Sequence, residues 1–169
     1  MSLRKASPAY EPMGKLCNDY EPFSATTTMP GFHGLHCHDF YELYVFFSGA
    51  PYYSLGSQIA PLSPCTLIII PPFYMHGLIG PKSDAPYERA WLYVTPGMMQ
   101  KASMGSLDLN HYFKKCTQTG KTFLTIRHED ANRLRDIILD IRSHMDDRSS
   151  IGRWQNNLRI ANFLSAVYD

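Results

Sequence analysis

The chain lacks a long apolar run, a cysteine framework and an excess of either charge, and each absence removes a class of function. No stretch approaches the roughly 20 apolar residues that a membrane-spanning helix needs, and Met1-Ser2-Leu3-Arg4-Lys5 is not followed by an apolar signal core. Cys17, Cys37, Cys65 and Cys116 are widely spaced with no C-x-x-C pair. That is no disulfide scaffold for a chain of 169 residues, and it suits a reducing, cytoplasmic setting. The formal charge is +1, and from Arg127 onward seven basic residues are matched by seven acidic ones, so no basic face is hidden in the average. Charge therefore gives no reason to expect nucleic acid on this chain. A glycine-rich phosphate loop, a legible Ser-His-Asp or Cys-His arrangement, an internal repeat and a low-complexity segment are all missing from the sequence. What is present, 44% hydrophobic and 18% charged residues, is the profile of one globular domain with a sizeable core.

Period and punctuation divide the chain. Residues 1–30 carry Pro8, Pro12, Pro22 and Pro30, which fix φ and remove donors, so an extended arm is expected with one strand at Phe23–Thr28. The middle reads as short strands: Tyr41–Phe47, Tyr52–Leu55 and Gln58–Leu62 around a Gly56-Ser57 turn, Thr66–Ile70 stopped by Pro71-Pro72, and Tyr87–Thr95. Strands at this spacing indicate a sandwich or closed barrel. A short helix is expected at Pro96–Ser103 and a last strand at Thr122–Ile126. The division falls near residue 127. Residues 1–127 hold the arm and barrel, and residues 128–169 form a helical pair within the same domain. Leu134, Ile137, Ile138, Ile141 and Met145 recur at helical spacing behind Glu129 and Asp130, whose charges suit a helix start. A second helix over about 151–168 is apolar on two sides, with Ile151, Trp154, Leu158 and Ala161 on one and Ile160, Phe163, Leu164 and Val167 on the other. Two apolar sides need two neighbours. One is the barrel or the first helix; for the other, a second subunit and the chain's own core both qualify.

The chemistry concentrates in His36, His38, Glu42 and His76. Alternate residues of a strand share a face, so His36 and His38 point together, and Glu42 has the parity to join them. His76 follows Pro71-Pro72-Phe73-Tyr74-Met75, past the end of another strand. Three imidazoles and a carboxylate fill most of a coordination shell for Zn, Fe, Mn or Ni. They serve equally as polar lining for a pocket that binds hydroxyls, or as imidazoles satisfied among themselves. Tyr44, Phe46, Tyr53, Trp91 and Tyr93 are candidates for an aromatic pocket wall, and Arg89 shares parity with Trp91 and Tyr93. Cys37 points to the opposite face from its two histidine neighbours.

The pattern H-x-H-x3-E-x6-G over His36–Gly49, followed by Cys65-x5-Pro71-x-Phe73-x2-His76, resembles the two cupin motifs. Cys65 and Phe73 stand where the second motif usually has glycine. The wording around the motifs, His38-Asp39-Phe40-Tyr41-Glu42-Leu43-Tyr44-Val45 and Leu62–Pro72, is similar to the N-terminal sensor domains of AraC-type transcription regulators. The resemblance spans about residues 20–169. It implies a mainly β fold, a cupin double-stranded β-helix (a jelly-roll barrel) followed by two C-terminal α-helices. It also implies a small-molecule effector, often a carbohydrate or other small metabolite, bound in the barrel by His36, His38, Glu42, Tyr44, His76, Arg89, Trp91 and Tyr93, with the arm closing over it. The terminal helices of such domains commonly form a homodimer contact, and DNA is met only through a C-terminal helix-turn-helix domain that this sequence does not contain. No cofactor is required by this reading, and no membrane partner is expected. The alternative the same motifs imply is a metal-dependent cupin enzyme of dioxygenase, isomerase or decarboxylase type, with His36, His38, Glu42 and His76 holding a divalent ion. A binding or storage cupin without a signalling role is a third class.

Overall fold

The computed structural model describes residues 16–29, 34–50 and 52–168. Most of the expected N-terminal arm lies outside the described residues; its last part forms a strand, β1 (Tyr20–Met29), longer than the sequence suggested. Seven more strands follow: β2 (Tyr41–Ser48), β3 (Tyr52–Leu55), β4 (Gln58–Pro61), β5 (Thr66–Ile70), β6 (His76–Ile79), β7 (Ser83–Val94) and β8 (Phe123–Thr125). Helices α1 (Pro96–Ala102) and α2 (Leu109–Gln118) separate β7 from β8, and α3 (His128–His144) and α4 (Ser150–Tyr168) close the chain.

The strands form two antiparallel sheets, one ordered β1-β7-β2-β5-β8 and the other β4-β3-β6. Register places Glu42 opposite both Tyr93 and Ile70, Tyr44 opposite Trp91 and Ile68, and Phe46 opposite Arg89 and Thr66. Because side chains alternate across a sheet, these rows share one face. That face meets the smaller sheet over a cluster of Tyr44, Phe46, Tyr53, Leu55, Ile68, Ile70 and Tyr87. The two sheets and the cluster between them make the expected cupin barrel. The intervening rows, Leu43, Val45, Leu67, Ile69, Ala90, Leu92 and Val94, point the other way into a larger core shared with all four helices. β2 is therefore buried on both faces, which is why it reads as a nearly unbroken apolar run. Full burial of each such side chain stabilises by about 1.5–3 kcal/mol, so this strand anchors both cores.

Local signals set the helix ends. Thr95 Oγ1 accepts from the Met98 N–H at 3.1 Å with Pro96 in the first turn, and Asp108 Oδ1 accepts from the His111 N–H at 2.9 Å. Glu129 and Asp130 occupy the first turn of α3, and Ser149 Oγ accepts from the Gly152 N–H at the start of α4. Buried Asn156 ties the two last helices together, its Nδ2 donating 2.8 Å to the His144 carbonyl. Helix α4 resolves into two faces. Ile160, Phe163, Leu164 and Val167 enter the core of their own chain, so they are not available to a second subunit. Ile151, Trp154 and Leu158 stay exposed at 58%, 57% and 40%, with Ala161 half-buried on the same stripe. Among the described residues no helix is long and apolar enough to cross a membrane.

Candidate functional site

Two short segments meet at the site. His36 forms an isolated antiparallel bridge with His76: the His36 N–H donates to the His76 carbonyl at 3.0 Å and the return bond is 2.8 Å. His76 is thereby the first residue of β6, paired with Leu55 of β3, and not a residue beyond a strand end. The Phe73 N–H donates 2.7 Å to the His38 carbonyl, holding the second motif against the first. Cys65 and Phe73, the two residues in glycine's place, adopt φ of 63° and 66°. The left-handed turns that glycine would ease are formed anyway, at a steric cost.

All four chemical residues come together around one carboxylate. His38 Nδ1 lies 2.8 Å from the Phe40 carbonyl and His76 Nδ1 lies 2.8 Å from the Tyr74 carbonyl. A carbonyl only accepts, so both Nδ1 atoms carry protons, and each ring turns its Nε2 inward. Each Nε2 sits 3.2 Å from Glu42 Oε2. The His38 contact is aligned as a hydrogen bond, whereas His76 Nε2 is buried with no aligned partner. Lone pair facing carboxylate is repulsive unless a proton or another cation lies between them. The ligand atoms of His36, Glu42 and His76 all lie within 4.8 Å of one another, a separation that suits one shared cation.

Electrostatics follow from this packing. Burial alone would raise the Glu42 carboxyl, but hydrogen bonds and charge from His38 and His76 outweigh it and hold it down at about 2. His36 is driven down to about 4, first by burial and then by its neighbour His76, so its ring is neutral at neutral pH. Burial raises the Tyr93 phenol well above its ordinary value, with the Glu42 charge adding to it, and the phenols of Tyr44 and Tyr53 are also raised, primarily by burial. Every phenol here is a neutral hydrogen-bonding group.

Above the cluster lies a cavity of about 520 Å³ between the two sheets. Six of the eight sequence candidates line it: His36, Glu42, Tyr44, Arg89, Trp91 and Tyr93. His38 and His76 do not; they sit behind Glu42, 3% and 0% exposed, and set its charge and orientation. Tyr53 also lines the cavity, whereas Phe46 does not and is buried in the apolar cluster between the sheets. Sequence reasoning missed Tyr87, whose hydroxyl hydrogen-bonds that of Tyr44, although its parity with Arg89, Trp91 and Tyr93 was a usable sign. It also missed Thr27 and Thr28, which β1 brings to the rim by pairing with β7, and Leu78 on the unrecognised β6.

Residues 19–166 match the family described as AraC-like ligand binding domain. No curated protein sequence matches the chain. Among solved structures, a cupin 2 conserved barrel domain protein from Rhodopseudomonas palustris is similar at 14% identity and a TM-score of 0.39, over 54% of this chain and 68% of that one.

Proposed function

Because the chain belongs to the AraC-like ligand-binding domain family, we propose that it binds a small-molecule effector in the barrel and serves as the sensing and dimerising part of an AraC-type transcriptional regulator. The observation that carries this reading is the cavity of about 520 Å³, a volume suited to a metabolite, with aromatic walls and polar groups converging at one end. Effector binding biases the domain only through contacts that differ between two states. The exposed stripe of α4, Ile151, Trp154 and Leu158, supports the second subunit as its cover.

The chain has two tryptophans, Trp91 in the cavity wall and Trp154 on the surface, which makes the test direct. In a Trp154→Phe protein, titrating metabolite pools and then purified compounds should change Trp91 emission saturably. Leu78→Trp, which fills the cavity, should abolish binding measured by calorimetry. Binding that survives undiminished with the cavity filled refutes the site.

One observation favours a second reading, a metal-dependent cupin. The buried, unpartnered His76 Nε2 beside Glu42 Oε2 suits a divalent cation held by His36, Glu42 and His76, with His38 hydrogen-bonded to the carboxylate. Such an ion, when bound, supplies a Lewis acid to a ligand in the cavity. In this reading the Phe40 and Tyr74 carbonyls fix the two ring tautomers. Metal analysis of protein purified without chelators separates the two: near-stoichiometric Zn, Ni, Fe or Mn, lost in Glu42→Gln, supports the metal site.

A further inference from the structure

One wall of the cavity presents hydrogen-bond donors without well-aligned acceptors among the described residues. Arg89 is half-buried on β7, its guanidinium carbon 4.2 Å from the Tyr87 ring centroid and 5.4 Å from that of Trp91. Both of its hydrogen bonds to described residues leave from Nη1, to Thr27 Oγ1 at 2.7 Å and to the Tyr87 carbonyl at 3.1 Å. Among the described residues no Asp or Glu lies within ion-pair distance of it; the neighbouring Glu88 is engaged by Arg135 on the helical side. Two residues along the same face, the buried Trp91 Nε1–H has only the Tyr93 hydroxyl near it and no well-aligned acceptor among the described residues. A guanidinium and a poorly satisfied indole N–H side by side suit an acceptor-rich, negatively charged group.

The opposite end of the cavity has the reverse polarity. Both imidazole contacts to Glu42 fall on Oε2, and the carboxylate lines the cavity beside His36. Register sets the distance between the ends. Phe46 stands opposite Arg89 and Glu42 opposite Tyr93, four residues apart along one strand pair, or roughly 13 Å at about 3.3 Å per residue. Tyr44 and Trp91, paired in register, form the floor between them.

We propose that the effector is an elongated metabolite with a carboxylate at one end, a hydroxyl at the other and a flat apolar body between. The carboxylate pairs with the Arg89 guanidinium and accepts from Trp91 Nε1; the hydroxyl donates to Glu42; the body lies on the Trp91 and Tyr44 rings. This rests on the effector reading of the same cavity. A neutral sugar of the kind the sequence resemblance suggests would leave the guanidinium desolvated without a counter-charge, which is costly.

The test uses matched acids and amides: 3-(4-hydroxyphenyl)propanoate with its primary amide, and the homologues one methylene shorter and longer, titrated into the whole chain by calorimetry. At least one acid should bind 10-fold or more tightly than its amide, with affinity falling as salt rises. In Arg89→Met the acid-to-amide ratio should collapse to about one while amide binding persists, and Arg89→Lys should restore part of it. A merely structural role for Arg89 would weaken acid and amide alike, and that result overturns the proposal. Preference for a neutral sugar over every acid, unaffected by Arg89→Met, also overturns it but leaves the cavity as an effector site. Absence of binding by every acid overturns it outright, and only the Trp91 titration with other metabolites then bears on the broader reading.

Discussion

Gly49 closes the first motif, and its replacement by alanine offers a sharp check on how that motif works. Gly49 has φ of +92°, and a Cβ built there would lie 2.0 Å from the Pro86 carbonyl oxygen, with the Pro86 carbon and Tyr87 Cα both at 2.6 Å. Two costs combine. The left-handed conformation costs an alanine about 1–2 kcal/mol, and crowding against backbone costs about 1–3 kcal/mol more because neither strand can retreat. The total, about 2–5 kcal/mol, is a large part of the roughly 5–15 kcal/mol that holds an ordinary domain together. Gly105 supplies the control: its φ is +72°, yet nothing lies within 4 Å of the added carbon, so Gly105→Ala should lose only the conformational part, about 1–2 kcal/mol. Urea unfolding followed by circular dichroism, with the midpoint compared at constant slope, measures both. The damage should also reach the site. Ser48 Oγ donates to the same Pro86 carbonyl at 3.0 Å, and Tyr87 follows directly with its hydroxyl bonded to Tyr44. Displacing Pro86 therefore shifts the cavity wall. Equal losses in the two variants would show that close approach of β2 to β7 is not why glycine stands at position 49.

Other perturbations reach different layers. Ile151, Trp154 and Leu158 are each about half exposed, so covering each in a dimer contributes about 1 kcal/mol. Leu158→Glu, which also places like charges at the contact, should raise the dimer dissociation constant about 100-fold in sedimentation experiments, an effect of about 2.8 kcal/mol; a wild-type chain that stays monomeric at high concentration refutes the contact. The metal-free protein should lose stability as pH falls from about 6.5 to about 4. In that window the unfolded chain protonates His36, whose folded-state value is held at about 4, so protons favour the unfolded state. The gap is worth about 3 kcal/mol at most, and about 1–2 kcal/mol once discounted for a ring that is only half-buried. Denaturation midpoints in chelator should therefore fall over this range and flatten in His36→Gln. The Glu42 contribution acts lower, present above about 4.5 and lost toward 2.

Strand periodicity carried most of the barrel and most of its site. The even positions of β2 and the odd positions of β7 were legible as one face because both strands are long and regular, and they hold Glu42, Tyr44, Arg89, Trp91 and Tyr93. What the sequence hid has physical causes. β6 is four residues long and bracketed by Pro71-Pro72 and Gly80, and it exists as a strand only because Leu55 and its neighbours pair with it. Its absence from the reading put His76 at a loop position. Helix α2 buries Leu109, Phe113 and Cys116 at helical spacing, but Lys114, Lys115 and Thr117 break the apolar density that would mark so short a segment. The division of α4 into a buried and an exposed side followed from no local signal, since both sides are apolar and only the position of the sheets decides between them. Likewise, parity placed His38 correctly beside Glu42 but did not reveal that it lies behind the carboxylate, 3% exposed.

β7 has a consequence that reaches beyond the site. Along it, Tyr87, Arg89, Trp91 and Tyr93 face the cavity while Ala90, Leu92 and Val94 press into the helical core, and Glu88 reaches Arg135 of α3 at 2.8 Å. Cavity wall and helix packing thus occupy alternate residues of a single ribbon. On the proposed effector reading, a compound that twists this ribbon would move the α3 layer in the same stroke. One that fits without bending it would be held firmly and go unheard.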